Sequence, residues 1–256
     1  MVRAETALRS VKMTGLDAVF TGLLAGGCRL AFAPAEAFAL RGEETQRLAR
    51  RLGRLGGVLV QVQSNGAAVT MAAGAALAGA RTAALVTDAA AADCALTGLD
   101  DTAPVLVDVS GRLALGLTHV RALVAPHTAQ AAFEAGAGLF ERAGALKGPA
   151  LIAGLEAGAA AEAFEPVPPS DGPVPIHHDG PDDAELLLVG AGPGFAACAD
   201  ARDRLEAEGV AASHLHLLQV SPFPGAIVAP ALTSARRVLV VEPGGPGTLA
   251  GLIRCH

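Results

Sequence analysis

Leu186–Ile253 reads LLLVGAGPGFAACADARDRLEAEGVAASHLHLLQVSPFPGAIVAPALTSARRVLVVEPGGPGTLAGLI, and its punctuation decides the fold. The apolar run Leu186–Val189 is short and stops at glycines, as a strand covered on both faces does. A helix-like stretch follows the glycine turn, and HLHLLQV (214–220) returns to strand character. Pro222-Phe223-Pro224 then forces a turn, a second helix follows, and RVLVV (237–241) is a third strand before Glu242-Pro243-Gly244-Gly245 turns the chain again. Strands separated by helices are joined by right-handed crossovers and lie parallel in one sheet. A small α/β unit is expected over 184–256.

The same alternation runs back to the N-terminus. GLDAVFTGLLAGG carries a helix signal and leads into the apolar CRLAFAP, which stops at Pro34. A charged helix is expected from Gly42 to Leu55, with Arg47, Arg50, Arg51 and Arg54 on a solvated face. The strand GGVLVQV (56–62) leads through Gln63-Ser64-Asn65 into AAVTMAAGAALAGA (67–80), whose small side chains suit a deeply buried helix. ALVTD (84–88), PVLVDVS (104–110), VRALVAP (120–126) and PALIAGL (149–155) read as further strands, with helices after the first and before the last. Between the two units, EPVPPSDGPVPIHHDGPDD (165–183) is rich in Pro, Asp and Gly and reads as a linker without a regular ladder. The expected organisation is 1–164, a linker 165–183, and 184–256.

Composition narrows the function. Hydrophobic residues make up 52% of the 256, so most strands should be covered on both faces. Trp and Tyr are absent, leaving no aromatic platform for single-stranded nucleic acid, and a net charge of −6 disfavours a phosphate backbone as partner. No apolar run has membrane-spanning length, and the N-terminus lacks the apolar core of a secretion signal; a cytoplasmic protein is expected. Cys28, Cys94, Cys198 and Cys255 are far apart, which fits free thiols and not an iron–sulfur cluster held by this chain.

The order of elements in 186–253, together with VQVQSNGAAVTMAAGAALAGAR (60–81) and the strand–helix–strand to Ser110, resembles the α subunit of 2-oxoacid:acceptor (ferredoxin) oxidoreductases. The resemblance implies an α/β fold of two doubly wound, mostly parallel-sheet domains: a thiamine diphosphate pyrimidine-binding-like domain, then a transketolase C-terminal-like domain. It implies oxidative decarboxylation of a 2-oxoacid, carried out with a β subunit that holds the diphosphate and its Mg²⁺. Iron–sulfur clusters would sit on partner subunits, ferredoxin-like and γ subunits are further candidates, and the chain would dimerise.

The same resemblance marks where this chain departs from the family. Its strand Val58–Val62 corresponds to one followed by a glutamate that shares a proton with the aminopyrimidine; here the position falls on Asn65, with Gln63 two residues before. An amide hydrogen-bonds a ring nitrogen but cannot relay a proton as a carboxylic acid does. Asn65 also reads as the N-cap of the following helix. The family's Pro-x-Thr-Pro loop appears as Ala33-Pro34-Ala35-Glu36-Ala37, placing Glu36 on the substrate side or, more plainly, at a helix start. The Ser-Gly-Pro-Gly turn becomes Thr87-Asp88-Ala89-Ala90, with Asp88 either a polar cofactor contact or a helix cap. A long substrate-enclosing loop is cut to Gly111–His119, leaving Arg112 as a candidate carboxylate anchor or a loop arginine in water. The readings this leaves open are a working α-like subunit, a catalytically degenerate structural or regulatory subunit, and a decarboxylase or carboligase that uses thiamine diphosphate without the glutamate.

Two other patterns invite and fail a reading. GAGPG (190–194) matches the first two glycines of a dinucleotide fingerprint, but Phe195 takes the third and no acid ends the next strand. His177 and His178 among aspartates lack ligand spacing, so no metal site is expected; His214 and His216, alternating on a strand, read as an interface.

Overall fold

Short apolar segments closed by proline, glycine or a capping side chain become most of the parallel strands of a computed structural model that describes residues 11–99, 101–155, 162–164, 174–242 and 248–256. In chain order the elements are β1 (Val11–Met13), α1 (Gly15–Ala25), β2 (Leu30–Pro34), α2 (Ala35–Leu40), α3 (Gly42–Arg54), β3 (Val58–Val62), α4 (Asn65–Leu77), β4 (Thr82–Val86), α5 (Ala89–Ala95), β5 (Val105–Asp108) and β6 (Ala122–Val124). There follow α6 (Ala129–Leu146), β7 (Ala150–Ile152), β8 (Glu162–Phe164), β9 (Ile176–Asp179), β10 (Leu186–Ala191), α7 (Phe195–Ala207), β11 (Ala212–Leu217), β12 (Gln219–Ser221), α8 (Gly225–Ser234), β13 (Arg237–Val241) and α9 (Thr248–Cys255).

A seven-stranded sheet has the order β12-β6-β7-β5-β4-β2-β3 and is parallel except for β12. A four-stranded sheet, β13-β10-β11-β9, is parallel except for β9, and β1 pairs antiparallel with β8. The α/β, mostly parallel architecture expected from the sequence is therefore present. The large sheet is wound on both faces, because the chain steps from β2 to β3 in one direction and from β3 back to β4 in the other. One core gathers α1, α3 and α6 side chains such as Phe20, Leu48, Leu52 and Phe133. The other runs without a break from Val69 and Leu106 of the large sheet's side to Leu187, Leu215 and Val228 of the small one.

Glycine sets the closest approach in the first core. A Cβ on Gly22 of α1 would lie 2.1 Å from the Phe133 carbonyl oxygen, and one on Gly136 of α6 would lie 2.4 Å from that of Val19. The two backbones touch because neither position carries a side chain. Asp17 and Thr21 of α1 also hold α3: Arg47 donates to Asp17 at 2.8 Å and Arg51 to the Thr21 hydroxyl at 2.8 Å. The arginine face of α3 thus divides, with Arg47 and Arg51 bonded inward and Arg50 and Arg54 exposed.

Other expectations change. Ile176–Asp179, read as linker, pairs with Leu217–His214 of β11, because its backbone supplies a ladder whatever its flanking prolines do. Residues 165–173 of that linker, and Pro243–Gly245 of the acid-proline-glycine turn, lie outside the described residues. Gln219–Ser221 leaves the small sheet to join β6 of the large one. The small-residue helix α4 is buried on one side only; Thr70, Met71, Gly74 and Leu77 are exposed. At the end of α6, Lys147 adopts a left-handed conformation with φ 48°, which glycine enters without strain. Lys147→Gly is expected to add about 0.5–1 kcal/mol, seen as a rise of a few degrees in the calorimetric transition.

His127, just after β6, reaches the second sheet. Its ring lies 3.9 Å from that of Phe195, and the rings of His177, His214 and His216 surround the same phenylalanine at 5.1–5.3 Å. His214 and His216 are buried, and Nδ1 of His127, Nε2 of His214 and both nitrogens of His216 have no hydrogen-bond partner. The interface expected for His214 and His216 lies within the chain. Phe195 fills its centre, and among the described residues no group of three or more His, Cys, Asp or Glu side chains is placed to hold a metal ion.

Candidate functional site at the carboxyl ends of the strands

In an open parallel sheet, the crevice for a ligand forms at the carboxyl ends of the strands where the winding direction reverses. Here that point is β2, flanked by β3 and β4. Glu36, Gln63, Asn65, Asp88 and Arg112 all follow the carboxyl end of a parallel strand, so the topology collects them along one rim.

Each is positioned locally. Pro34 ends β2 and caps α2, leaving Glu36 exposed in the first turn. Ser64, and not Asn65, is the N-cap of α4: its hydroxyl accepts from the Ala67 N–H at 3.2 Å. Gln63 is exposed beside it. The Asn65 amide instead turns toward the loop after β4. Its Oδ1 accepts from the Thr87 N–H at 2.8 Å and its Nδ2 donates to the Thr87 hydroxyl at 3.2 Å. This pair of bonds ties together the ends of two strands that β2 separates. Asp88 is exposed and caps α5, accepting from the Ala90 and Ala91 N–H groups at 3.0 Å each.

At the far side of the rim, Arg112 is exposed; its N–H donates to the Ser110 hydroxyl and its carbonyl accepts from Gly154. Arg41, from the α2–α3 junction, donates to the Val109 carbonyl at 3.2 Å. Among the described residues no hydrogen bond or ion pair joins Glu36, Asn65, Asp88 and Arg112 to one another.

Two acids escaped the sequence reading. Asp108 ends β5, is 1% exposed and accepts from the Ser110 N–H at 2.8 Å. Burial raises its pKa, opposed by Ser110 and Arg112 and reinforced by the charge of Asp88. It is the carboxyl on this rim held toward its protonated form, but the chain covers it. Asp93, on the alanine-rich α5, accepts from the N–H groups of Thr118, His119 and Val120 at 2.8–3.1 Å and so fastens the shortened loop. A lone aspartate in an alanine run was the only available signal.

The glycines of GAGPG have a packing role. Gly192 (φ +61°) and Gly154 (φ +71°) abut where the two sheets meet: a Cβ on Gly154 would lie 3.1 Å from the Gly192 Cα, and one on Gly192 would meet Leu113 at the same distance. Separately, an apolar cavity of about 420 Å³ opens between Leu117, Val120, Leu123, Val220, Phe223 and Leu252.

The Asn65 geometry tests the expected cofactor. A pyrimidine-binding site of the kind implied above needs a carboxylic acid after β3, and the side chain there is an amide engaged at both ends by Thr87. The residues present do not fit that proton relay.

Comparison with solved structures places the architecture. A 2-oxoglutarate:ferredoxin oxidoreductase from Magnetococcus marinus, solved with 2-oxoglutarate, coenzyme A and succinyl-CoA bound, superposes with a TM-score of 0.74 at 15% identity over 96% of this chain and 60% of that one. A split-gene transketolase, solved as an inactive β4 tetramer, gives 0.65 at 15% identity over 93% of this chain and 82% of that one. This chain shares their fold. It spans about 60% of the length of the oxidoreductase chain. No protein-family profile matches it, and no curated protein does.

Proposed function

We propose that the chain is an α-subunit-like component of a 2-oxoacid:acceptor oxidoreductase-type complex, built to complete an interface site with a β subunit and unable to supply the acid itself. The observation that carries this reading is the Asn65–Thr87 pair at the winding reversal of an oxidoreductase-like fold. Asn65, Gln63 and Asp88 form the side that would face thiamine diphosphate; Glu36 and Arg112 form the side that would face a 2-oxoacid, Arg112 through a guanidinium suited to a carboxylate. The β subunit would bring the diphosphate, Mg²⁺ and a route to iron–sulfur clusters. The split transketolase neighbour, inactive as a β4 tetramer, supports the need for a partner.

Among the described residues no helix is long and apolar enough to cross a membrane, which is compatible with a complex outside the bilayer. The degenerate reading is favoured over full activity because the Asn65 amide, already bonded at both ends, cannot move a proton at that position. The test is reconstitution with the native β partner, found by co-purification. Complex formation by size-exclusion chromatography is expected for the chain and for Asn65→Glu alike. Dye reduction driven by a panel of 2-oxoacids should run about 10²–10⁴-fold below the level a positioned acid supports. Turnover at ordinary rates by the unaltered complex, or no complex at all, would overturn the reading.

A further inference from the structure

β13 is an outer strand of the four-stranded sheet. It pairs with β10 on one side, and among the described residues no strand lies on the other. An unpaired edge is a template for another chain, which proteins usually block with charge, proline or a bulge. Within Val238–Val241 there is none of these, and Val238 and Leu239 are 41% and 52% exposed. Charge stands only at the two ends: Arg236 and Arg237 before the strand's apolar run, and Glu242 after it.

We propose that β13 pairs antiparallel with β13 of a second copy, about a two-fold axis at Leu239. Opposed residues in such a pair lie on the same face of the sheet, so only registers centred on a residue keep the two sheets continuous. Centring on Leu239 sets Val238 against Val240 and the exposed Arg236 against Glu242 of the other copy, twice by symmetry. Centring on Val238 puts both arginines against apolar residues, and centring on Val240 sets Arg237 against Pro243, which has no N–H to donate. Arg237 needs no partner across the axis, since it already pairs with Glu185 at 2.8 Å. Glu242 keeps its place because its carboxylate accepts from the Thr248 and Ala250 N–H groups at 3.0 and 2.7 Å. Leu239 shares a face with Leu188 and His214, so the two exposed leucines cover each other beside α7. The result is a continuous eight-stranded sheet. This surface belongs to the small sheet, whereas the rim assigned above belongs to the large one, and the proposal stands or falls independently of the partner subunit.

The test is a register-specific cross-link in the full chain with the exposed Cys94 and Cys255 changed to serine. Leu239→Cys is expected to form a disulfide dimer under mild oxidation, because directly opposed strand residues lie within disulfide reach. Val240→Cys should not link to itself, whereas Val238→Cys combined with Val240→Cys should. Leu239→Lys should weaken dimerisation roughly tenfold or more in sedimentation equilibrium, with an unchanged circular dichroism spectrum. Equal cross-linking at 239 and 240, or a chain without those changes that stays monomeric at about 100 μM, where even a weak edge contact registers, would overturn the proposal.

Discussion

Lowering the pH from 7.5 to 5.0 is expected to drop the thermal transition of this chain by roughly 10–20 °C, more than ordinary surface titration produces. The cause is the histidine group around Phe195. Burial, first, and the neighbouring imidazoles, second, lower the pKa of His127 to about 4, that of His214 to about 4 and that of His216 to about 3. For His214, Arg202 and His178 push the same way and Asp179 opposes. Cys198 is also close by, a buried thiol whose own pKa burial raises.

The unfolded chain takes up these protons below about pH 6.5, whereas the folded chain refuses them until about pH 4. Stability is therefore complete above the ordinary histidine pKa and is lost as the pH falls between those values. At pH 5 each of the three sites costs up to about 2 kcal/mol, and because they repel one another the group loses about 4–6 kcal/mol together. His216→Leu, which removes a ring with both nitrogens unbonded, should flatten this dependence by about a third while leaving the transition at pH 7.5 near its original temperature. Calorimetry at the two pH values decides the matter. A transition that moves by less than about 3 °C would show that the rings find protons or partners in the folded state.

Gly22→Val should be the most damaging single apolar change in the first core. The added Cβ would start 2.1 Å from the Phe133 carbonyl oxygen, a backbone atom that no rotamer change can remove. α1 and α6 would have to separate, opening space between Phe20, Leu23, Leu139 and their neighbours in the same core. Overpacking of this kind costs about 3 kcal/mol or more, equivalent to roughly 10 °C in a chain of this size. Gly144→Val is the control, since a Cβ there meets nothing within 4 Å; it bears only the change in helix propensity, well under 1 kcal/mol. Similar losses for both variants would mean that the helix contact is not as tight as its geometry indicates.

The parallel sheets were legible because covered strands read as short apolar runs, and those between Pro34 and Ile152 fall within a few residues of their observed ends. The rim was legible for a related reason: Glu36, Gln63, Asn65, Asp88 and Arg112 each follow such a run, and topology does the rest. Contacts between residues distant in sequence were not legible. Asn65 bonds to Thr87, 22 positions away, while Ser64 takes the capping role assigned to its neighbour. Asp93 grips a loop 25 positions downstream. β9 and β12 were hidden because short antiparallel edge strands need no hydrophobic pattern of their own; IHHD and QVS are held by the backbones of β11 and β6. The sequence shows His214 with His216 on a strand and His177 with His178 among aspartates as separate pairs, whereas His127 and Phe195, which join His177, His214 and His216 into one group, come from other elements.

The crossing of Gln219–Ser221 into the large sheet has a consequence for anyone dividing this chain. A cut near residue 164 or 184 severs a shared seam: the amino-terminal piece forfeits an outer ribbon that shields β6, and a carboxyl-terminal piece starting at 184 arrives without β9. The halves are interlaced rather than beaded on a string, and the seven-stranded sheet is finished only once Gln219–Ser221 have been made.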